Sequence, residues 1–401
     1  MTMKITKIDV LLSEPVEGGW QPMFCRVYTD SGIYGDGEAA LSYGGAVHAA
    51  FGMMRDLAPE LIGLNPLEHE VVWQKMYKDA CFFALNGGPI TFAGMSAFDV
   101  ALWDIKGKVY GAPLHEMLGG KQRNSLRAYA SQLQNGWAEK RRPGRTPEDY
   151  AHDAKVAVEK GFDAVKFNFT TFREDGGRYD GSEQSTFLHP DYMNVIESRI
   201  AAVRQAIGSR CDIILENHAY TDAQSAVQMG NMAKKYGILY YEEPVAPHAE
   251  LLRFVHQNTG IPVASGERIY SRWQFQKCLE QEAIQVIQPD VGNSGGITEV
   301  KKICDMAYTH DVGVQIHVCG SPLITAASLN LEATLPNFVI HEYNVNTSMP
   351  KMLKLTKYTY EPVDGKMTVP DLPGIGNEIS DYAFSHSQVI SITDTDKVAI
   401  L

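Results

Sequence analysis

Hydrophobic and polar residues alternate from the start of the chain. Lys4-Ile-Thr-Lys-Ile-Asp-Val-Leu-Leu sends successive side chains to opposite faces, the period of a β-strand. A second run, Phe24-Cys-Arg-Val-Tyr-Thr, reaches the turn Asp30-Ser-Gly-Ile, and a further strand runs to Glu38. Residues 3–40 are therefore predicted to form a strand hairpin. From about Ala46 to Gly119 the apolar positions recur at helical steps instead. Ala93–Lys108 carries the strongest such signal.

After Gly119-Gly120 short apolar runs alternate with amphipathic stretches such as Thr221–Tyr236 and Thr298–His310. The runs are Leu126–Ser131, Ala164–Phe169, Asp212–Glu216, Leu239–Glu242, Val263–Glu267, Val286–Asp290, Gly313–His317 and Phe338–Glu342. This alternation predicts parallel βαβ units. Eight units over about 230 residues match a closed (β/α)8 barrel, usually roughly 250 residues long. An open doubly wound sheet is the competing α/β fold, but the Gly-rich phosphate turn expected after an early strand is missing. The expected organisation is an α+β capping domain over 1–122 and a (β/α)-barrel over 123–349. A C-terminal segment, 350–401, is expected to return to the cap. Thr170–Asp191 is charged and aperiodic, and reads as a long functional loop after the second barrel strand.

Composition narrows the classes of function. Among 401 residues, 36 Lys and Arg face 48 Asp and Glu, a formal net charge of -12, which argues against a nucleic-acid partner. No run of 18 apolar residues suggests a membrane span, and the alternating N-terminus does not read as a signal peptide. The six cysteines are scattered without a CxxC pair, which favours reduced thiols in a cytoplasm. A small-molecule substrate is the expected partner.

The chemistry lies at the ends of the apolar runs. Glu216, Glu242, Glu267, Asp290, His317 and Glu342 each close one, spaced 23 to 27 residues apart. Each would sit at the C-terminal mouth of the barrel, where such enzymes place their active sites. One carboxylate there would be an ordinary strand terminus; six ionisable ends in succession call for another reading. Glu216, Glu242 and Glu267 would repel one another unless a cation lay between them, and oxygen-only ligands suit Mg²⁺ or Mn²⁺. Only one of Glu242 and Glu243 can point inward from an extended strand, and spacing does not choose between them. Glu216 and His218 share a face, and Asp290 on the neighbouring strand can orient His317. Lys166 and Asn168 share a face of the second strand. Lys166 can neutralise a substrate carboxylate or serve as a structural ion-pair partner.

These residues carry a resemblance. The helix Ser96-Ala-Phe-Asp-Val-Ala-Leu-Trp-Asp-Ile-Lys-Gly-Lys, Glu242-Glu-Pro, Ala264-Ser-Gly-Glu-Arg268, Gln288-Pro-Asp and Gly295-Gly-Ile-Thr-Glu resemble the signature of the mandelate racemase branch of the enolase superfamily. Within it the pattern is most similar to the D-galactonate dehydratase group, with mannonate dehydratases more distant. The resemblance implies Glu216, Glu242 and Glu267 as Mg²⁺ ligands, and a His317–Asp290 dyad that removes the proton α to a carboxylate. It implies His218 as the general acid for the departing hydroxyl and Glu342 as the group that hydrogen-bonds the enediolate. Lys166, Asn168, Arg268 and Trp20 complete the expected substrate contacts. Two loops of the cap, matching Glu14–Pro22 and Asp79–Pro89, would close over the substrate. There Trp20, Phe82 and Phe83 either exclude water or are ordinary core aromatics.

Racemases of this branch carry Lys-x-Lys on the second strand, whereas this chain has Lys166-Phe-Asn168. The implied reaction is dehydration of an acid sugar to a 2-keto-3-deoxy acid by a cytoplasmic homo-oligomer. The first ligand is Glu216 where the sugar-acid dehydratases have Asp, and the strand-two loop is longer, which bears on the substrate rather than the reaction. A racemase, epimerase or cycloisomerase on the same site, or a non-catalytic sugar-acid-binding homologue, are the other readings.

Overall fold

The computed structural model describes residues 3–81, 87–137 and 142–396. The predicted hairpin is present as β1 (Ile5–Ser13), β2 (Met23–Thr29) and β3 (Tyr34–Ala39), paired antiparallel. Helices Val47–Leu61 and Pro89–Tyr110 cover this sheet. The second begins at Pro89, whose fixed φ suits a first turn, and ends at Gly111 in the left-handed conformation. It is buried along nearly its whole length because it also packs on the barrel helix Gly296–Thr309. At that contact Ser96 Oγ accepts from the Gly295 and Gly296 N–H groups, and Asp99 accepts from Thr298 N–H at 2.9 Å. Cap side chains thus satisfy the start of a barrel helix, whose first N–H groups have no partner within the helix.

Eight parallel strands follow: β4 (Ser125–Ser131), β5 (Ala164–Phe167), β6 (Asp212–Glu216), β7 (Ile238–Glu242), β8 (Val263–Ser265), β9 (Val286–Ile287), β10 (Gly313–Val314) and β11 (His341–Asn344). Their order is β10-β9-β8-β7-β6-β5-β4-β11. A parallel bridge from Val314 to Phe338 joins the two ends, closing the barrel. Of the C-terminal segment, β12 (Lys366–Thr368) pairs antiparallel with β4, and β13 (Ser387–Thr393) adds to the cap sheet beside β1. The C-terminal segment therefore touches both layers.

Three of the expected barrel strands lose regular pairing before their ionisable ends. The chain turns at Gly266, where a Cβ would lie 2.3 Å from the backbone of Gln288, so only glycine permits that approach. Pro289, without an N–H, interrupts the ladder after β9. Asp290 and His317 are nonetheless held side by side by an isolated parallel bridge. The interior of the barrel is a small layer that includes Tyr129, Ala164, Ile214, Tyr240, Ala264, Val286 and Ile340.

Candidate active site

The period-two rule carries the inner layer up to the site. Ala164, Ile214, Tyr240 and Ile340 face inward, and two residues later on the same faces stand Lys166, Glu216, Glu242 and Glu342. All four are buried. The Lys166 ammonium lies 3.2 Å from Glu216, 2.6 Å from Glu242 and 3.0 Å from Glu342. One cation thus faces three carboxylates in a setting where an uncompensated charge is costly. Burial, together with Glu216 and Glu342, pushes the Glu242 carboxyl up to about 8 against the pull of Lys166. Glu242 Oε2 is buried and has no hydrogen-bond partner among the described residues. Burial works against ionisation of Glu342 too, but Lys166 holds it below its usual range, and Ser131 Oγ and Val318 N–H donate to its two oxygens.

Glu243 does not continue the alternation. Its φ is +42°, and its side chain turns to Arg268, whose guanidinium also lies 2.8 Å from Glu267. Glu242 is therefore the residue that joins the inner carboxylates. Left-handed backbone at residues other than glycine recurs around this rim, at Gln132, His218, Ala219 and Glu243. Such backbone is costly and tends to collect at functional sites. The turn after β6 is held by Asn217, whose amide donates to Thr221 and Tyr241, and by Ala219 N–H donating to the Glu243 carbonyl. This turn aims His218.

Two histidines face the carboxylates from different sides. His218 Nε2 lies 3.0 Å from Glu216, and its Nδ1 lies 3.0 Å from the Asn168 amide nitrogen. Asn168 Oδ1 accepts from both the N–H and the hydroxyl of Thr170, which turns the amide N–H toward the ring. His317 Nδ1 is 2.6 Å from Asp290, and its Nε2 is 3.1 Å from Glu267. Burial lowers the His317 pKa, but Glu267 and Asp290 outweigh it and raise it well above the usual value. Burial likewise opposes, and Glu216 overcomes, a raised pKa for His218. Donor atoms of Glu216, His218 and Glu267 lie within 4.8 Å of one another. This electrically overloaded set of two carboxylates and an imidazole fits a divalent cation; Glu242 lies outside that cluster and is linked to Glu216 through the Lys166 ammonium.

Above the carboxylates a cavity of about 750 Å³ lies between barrel mouth and cap. Asn168, His218, Glu267, Arg268 and His317 line it from the barrel, and Trp20 from the cap. Lys166, Glu216, Glu242, Asp290 and Glu342 are not on its wall and lie behind those residues. The loop Thr170–Asp191 contributes Thr170, Thr171, Arg178, Tyr179 and Gln184. Phe82 and Phe83 lie outside the described residues.

Other lining groups escaped sequence reasoning. Cys319 follows His317 by two residues, and Asn344 follows Glu342 by two, so extending the same periodicity would have found both. Gln132 donates to Glu216 at 3.2 Å from just beyond β4. Tyr43, in a Gly-rich cap loop, gave no signal.

Known proteins share this architecture. Residues 21–119 match the mandelate racemase / muconate lactonizing enzyme N-terminal domain, and residues 149–383 match the enolase C-terminal domain-like family. The D-galactonate dehydratases of Ralstonia pickettii and Pectobacterium atrosepticum are each 32% identical over 385 residues, covering 94% of this chain and 93% of theirs. A solved member of the enolase superfamily from Salmonella Typhimurium is 44% identical, with a TM-score of 0.94, and the match covers 98% of this chain and 100% of that one. The inward carboxylates, the His–Asp pair at the barrel mouth and these matches across both layers agree: the chain belongs to the enolase superfamily, in its mandelate racemase branch.

Proposed function

We propose that the protein is a hydro-lyase that dehydrates a sugar acid, an aldonate such as D-galactonate, to a 2-keto-3-deoxy acid through an enediolate. The observation that carries this reading is the pair of histidines. His317 on Asp290 and His218 on Asn168 each present Nε2 beside a different carboxylate under one cavity. Elimination of water needs one base and one acid at neighbouring carbons. A two-base racemase would need a second base at the end of the second barrel strand, where this chain has Asn168, the residue after β5.

Glu216, Glu242 and Glu267 are the residues that would hold Mg²⁺, with Mn²⁺ as a substitute. A bound divalent cation supplies Lewis acidity to the substrate carboxylate. Asp290 keeps the Nδ1 proton of His317 in place and leaves Nε2 to take the proton α to the carboxylate. Lys166 provides fixed positive charge behind the carboxylates, and Glu342 holds it there. His218 gives its proton to the β-hydroxyl, which leaves as water. The resulting enol tautomerises to the keto acid. The cavity wall is rich in amides and hydroxyls, including Asn168, Thr170, Thr171, Gln134, Gln184 and Asn344, and suits a polyhydroxy chain better than an aromatic or aliphatic acid.

The test is incubation with Mg²⁺ and a panel of hexonates, pentonates and hexarates, assayed for 2-keto-3-deoxy product, with EDTA in parallel. An EDTA-sensitive hit is expected. Racemisation or cyclisation without loss of water would overturn the reading.

A further inference from the structure

A closed circuit of hydrogen bonds runs beside the inner carboxylates, and two of its members take no part in the mechanism above. Gln132 follows β4, and Gln134 stands two residues on, in the short turn Leu133–Asn135. Gln132 Nε2 donates to Glu216 Oε2 at 3.2 Å. Its Oε1 accepts from Gln134 Nε2 at 2.8 Å and from Asn135 Nδ2 at 3.4 Å. Gln134 Oε1 accepts from the main-chain N–H of Asn168 at 3.3 Å. The Asn168 amide meets His218 Nδ1 at 3.0 Å, and His218 Nε2 returns to Glu216, at Oε1.

The direction of each bond is fixed by its chemistry. A carboxylate held against Lys166 only accepts, and a main-chain N–H only donates. Gln132 must therefore show its NH2 to Glu216, and Gln134 its carbonyl to Asn168. One arrangement of the two amides satisfies both ends. Asn168, its Oδ1 taken by Thr170, shows its NH2 to His218. His218 Nδ1 then accepts, and the ring proton sits on Nε2, facing Glu216.

The backbone is bent to place this pair. Gln132 has a φ of +65°, in the left-handed region uncommon for residues other than glycine. Asn135 holds the turn, its main-chain N–H donating to the Gln132 carbonyl at 3.1 Å. Gln134 is buried, so its amide cannot turn away without leaving polar atoms unpaired. Lys166 and His218 lie against Glu216 Oε1, while Gln132 holds Oε2. Loss of the Gln132 donor would leave the carboxylate free to rotate about its terminal bond.

We propose that Gln132 is a positioning residue for the divalent cation: clamped by Gln134, it sets the plane of the Glu216 carboxylate and presents that ligand at one angle. This rests on the metal reading in the function proposed above. A hydrogen bond of this kind to a metal-ligating carboxylate is typically worth about 10-fold to 100-fold in metal affinity.

The experiment titrates Mg²⁺ by calorimetry into wild type, Gln132→Met and Gln134→Met, with the melting temperature of each metal-free protein read alongside. Met keeps the length of Gln and has no N–H to donate. The expected result is a Mg²⁺ Kd raised about 10-fold to 100-fold in Gln132→Met. Gln134→Met leaves the donor to Glu216 in place and frees only its aim, so its Kd should rise less, about twofold to tenfold, the size of one hydrogen bond. Should Gln132→Met fail to fold, Gln134→Met decides alone. A purely structural pair would lower the metal-free melting temperature and leave the Kd of the folded variants as in wild type, which would overturn the inference. Absence of Mg²⁺ and Mn²⁺ binding by wild type would instead overturn the metal assignment, and this inference with it.

Discussion

Glu38, on cap strand β3, accepts a hydrogen bond from the backbone N–H of Ser321 at 2.8 Å, at the start of the barrel helix Pro322–Ala333. The Ile324 N–H donates to the same carboxylate at 3.2 Å. Together with Asp99 at Thr298, this makes buried cap acids the partners of barrel-helix N-termini, where the helix dipole favours negative charge. The cap is therefore docked by groups whose charge matters to the fold.

The first prediction concerns stability against pH. Burial pushes the Glu38 carboxyl up to about 7, more than its hydrogen bonds from Ser321 and Ile324 pull it down. An unfolded Glu titrates near 4.3, roughly. Between those values the folded protein holds a proton that the unfolded chain has released, so stability falls as pH rises from about 4.5 to about 7. Glu38→Gln has no such proton. The variant should be less stable than wild type at pH 5, with the gap narrowing by pH 8, as read by urea melts at both values. A gap that does not change with pH would refute the assignment.

The second prediction separates the base from the metal. His317→Asn should abolish turnover, while Mg²⁺ affinity measured by calorimetry stays within about threefold of wild type. Asp290→Asn should lose a factor of roughly 10²–10⁴ in kcat, because Asn offers Nδ1 a weaker and reversible partner. Substantial turnover by His317→Asn on the true substrate would eliminate the dyad from the mechanism.

Much of this site was legible in the chain, and its illegible parts have a common cause. Glu216, Glu242 and Glu342 follow inward-facing residues by two, so a strand period locates them. Glu267 does not, because the chain turns at Gly266 to pass close to Gln288. Glu243 could not be told from Glu242 by alternation, since its positive φ depends on the β7–β8 contact through Glu243 N–H and the Ala264 carbonyl. Regular pairing in β9 and β10 covers two residues each, shorter than their apolar runs, because Pro289 and the diverging mouth interrupt the ladder. Tyr43 was invisible because its placement depends on residue 292, some 250 positions away. Local periodicity reports local geometry; contacts between cap and barrel have no local signature.

The third prediction distinguishes the acid from the base. With His317 intact, His218→Gln should still exchange the α-hydrogen of the substrate with deuterium from solvent, read by NMR. Its dehydration should be slower by roughly 10²–10⁴-fold, the usual value of one positioned acid. If exchange and dehydration fell together, His218 would be needed for proton abstraction itself, and the division of labour between the two histidines would be wrong.

The fourth prediction follows from the excess of negative charge around Lys166. Three buried carboxylates share that one ammonium, and Glu242 keeps an unpartnered oxygen. A divalent cation that binds there stabilises the folded chain by mass action, about 2.7 kcal/mol when present at a hundred times its Kd. Mg²⁺ should therefore raise the melting temperature and EDTA should reverse the rise. Glu242→Gln removes one of the three negative charges that would hold the ion, and Mg²⁺ should then protect far less. Without the ion, burial, Glu216 and Glu342 already keep the Glu242 carboxyl protonated near neutral pH, so the neutral amide replaces a neutral acid and the metal-free variant should melt no lower than metal-free wild type. Equal protection of both proteins by Mg²⁺ would mean that Glu242 is not a ligand, and that its role is to hold Lys166.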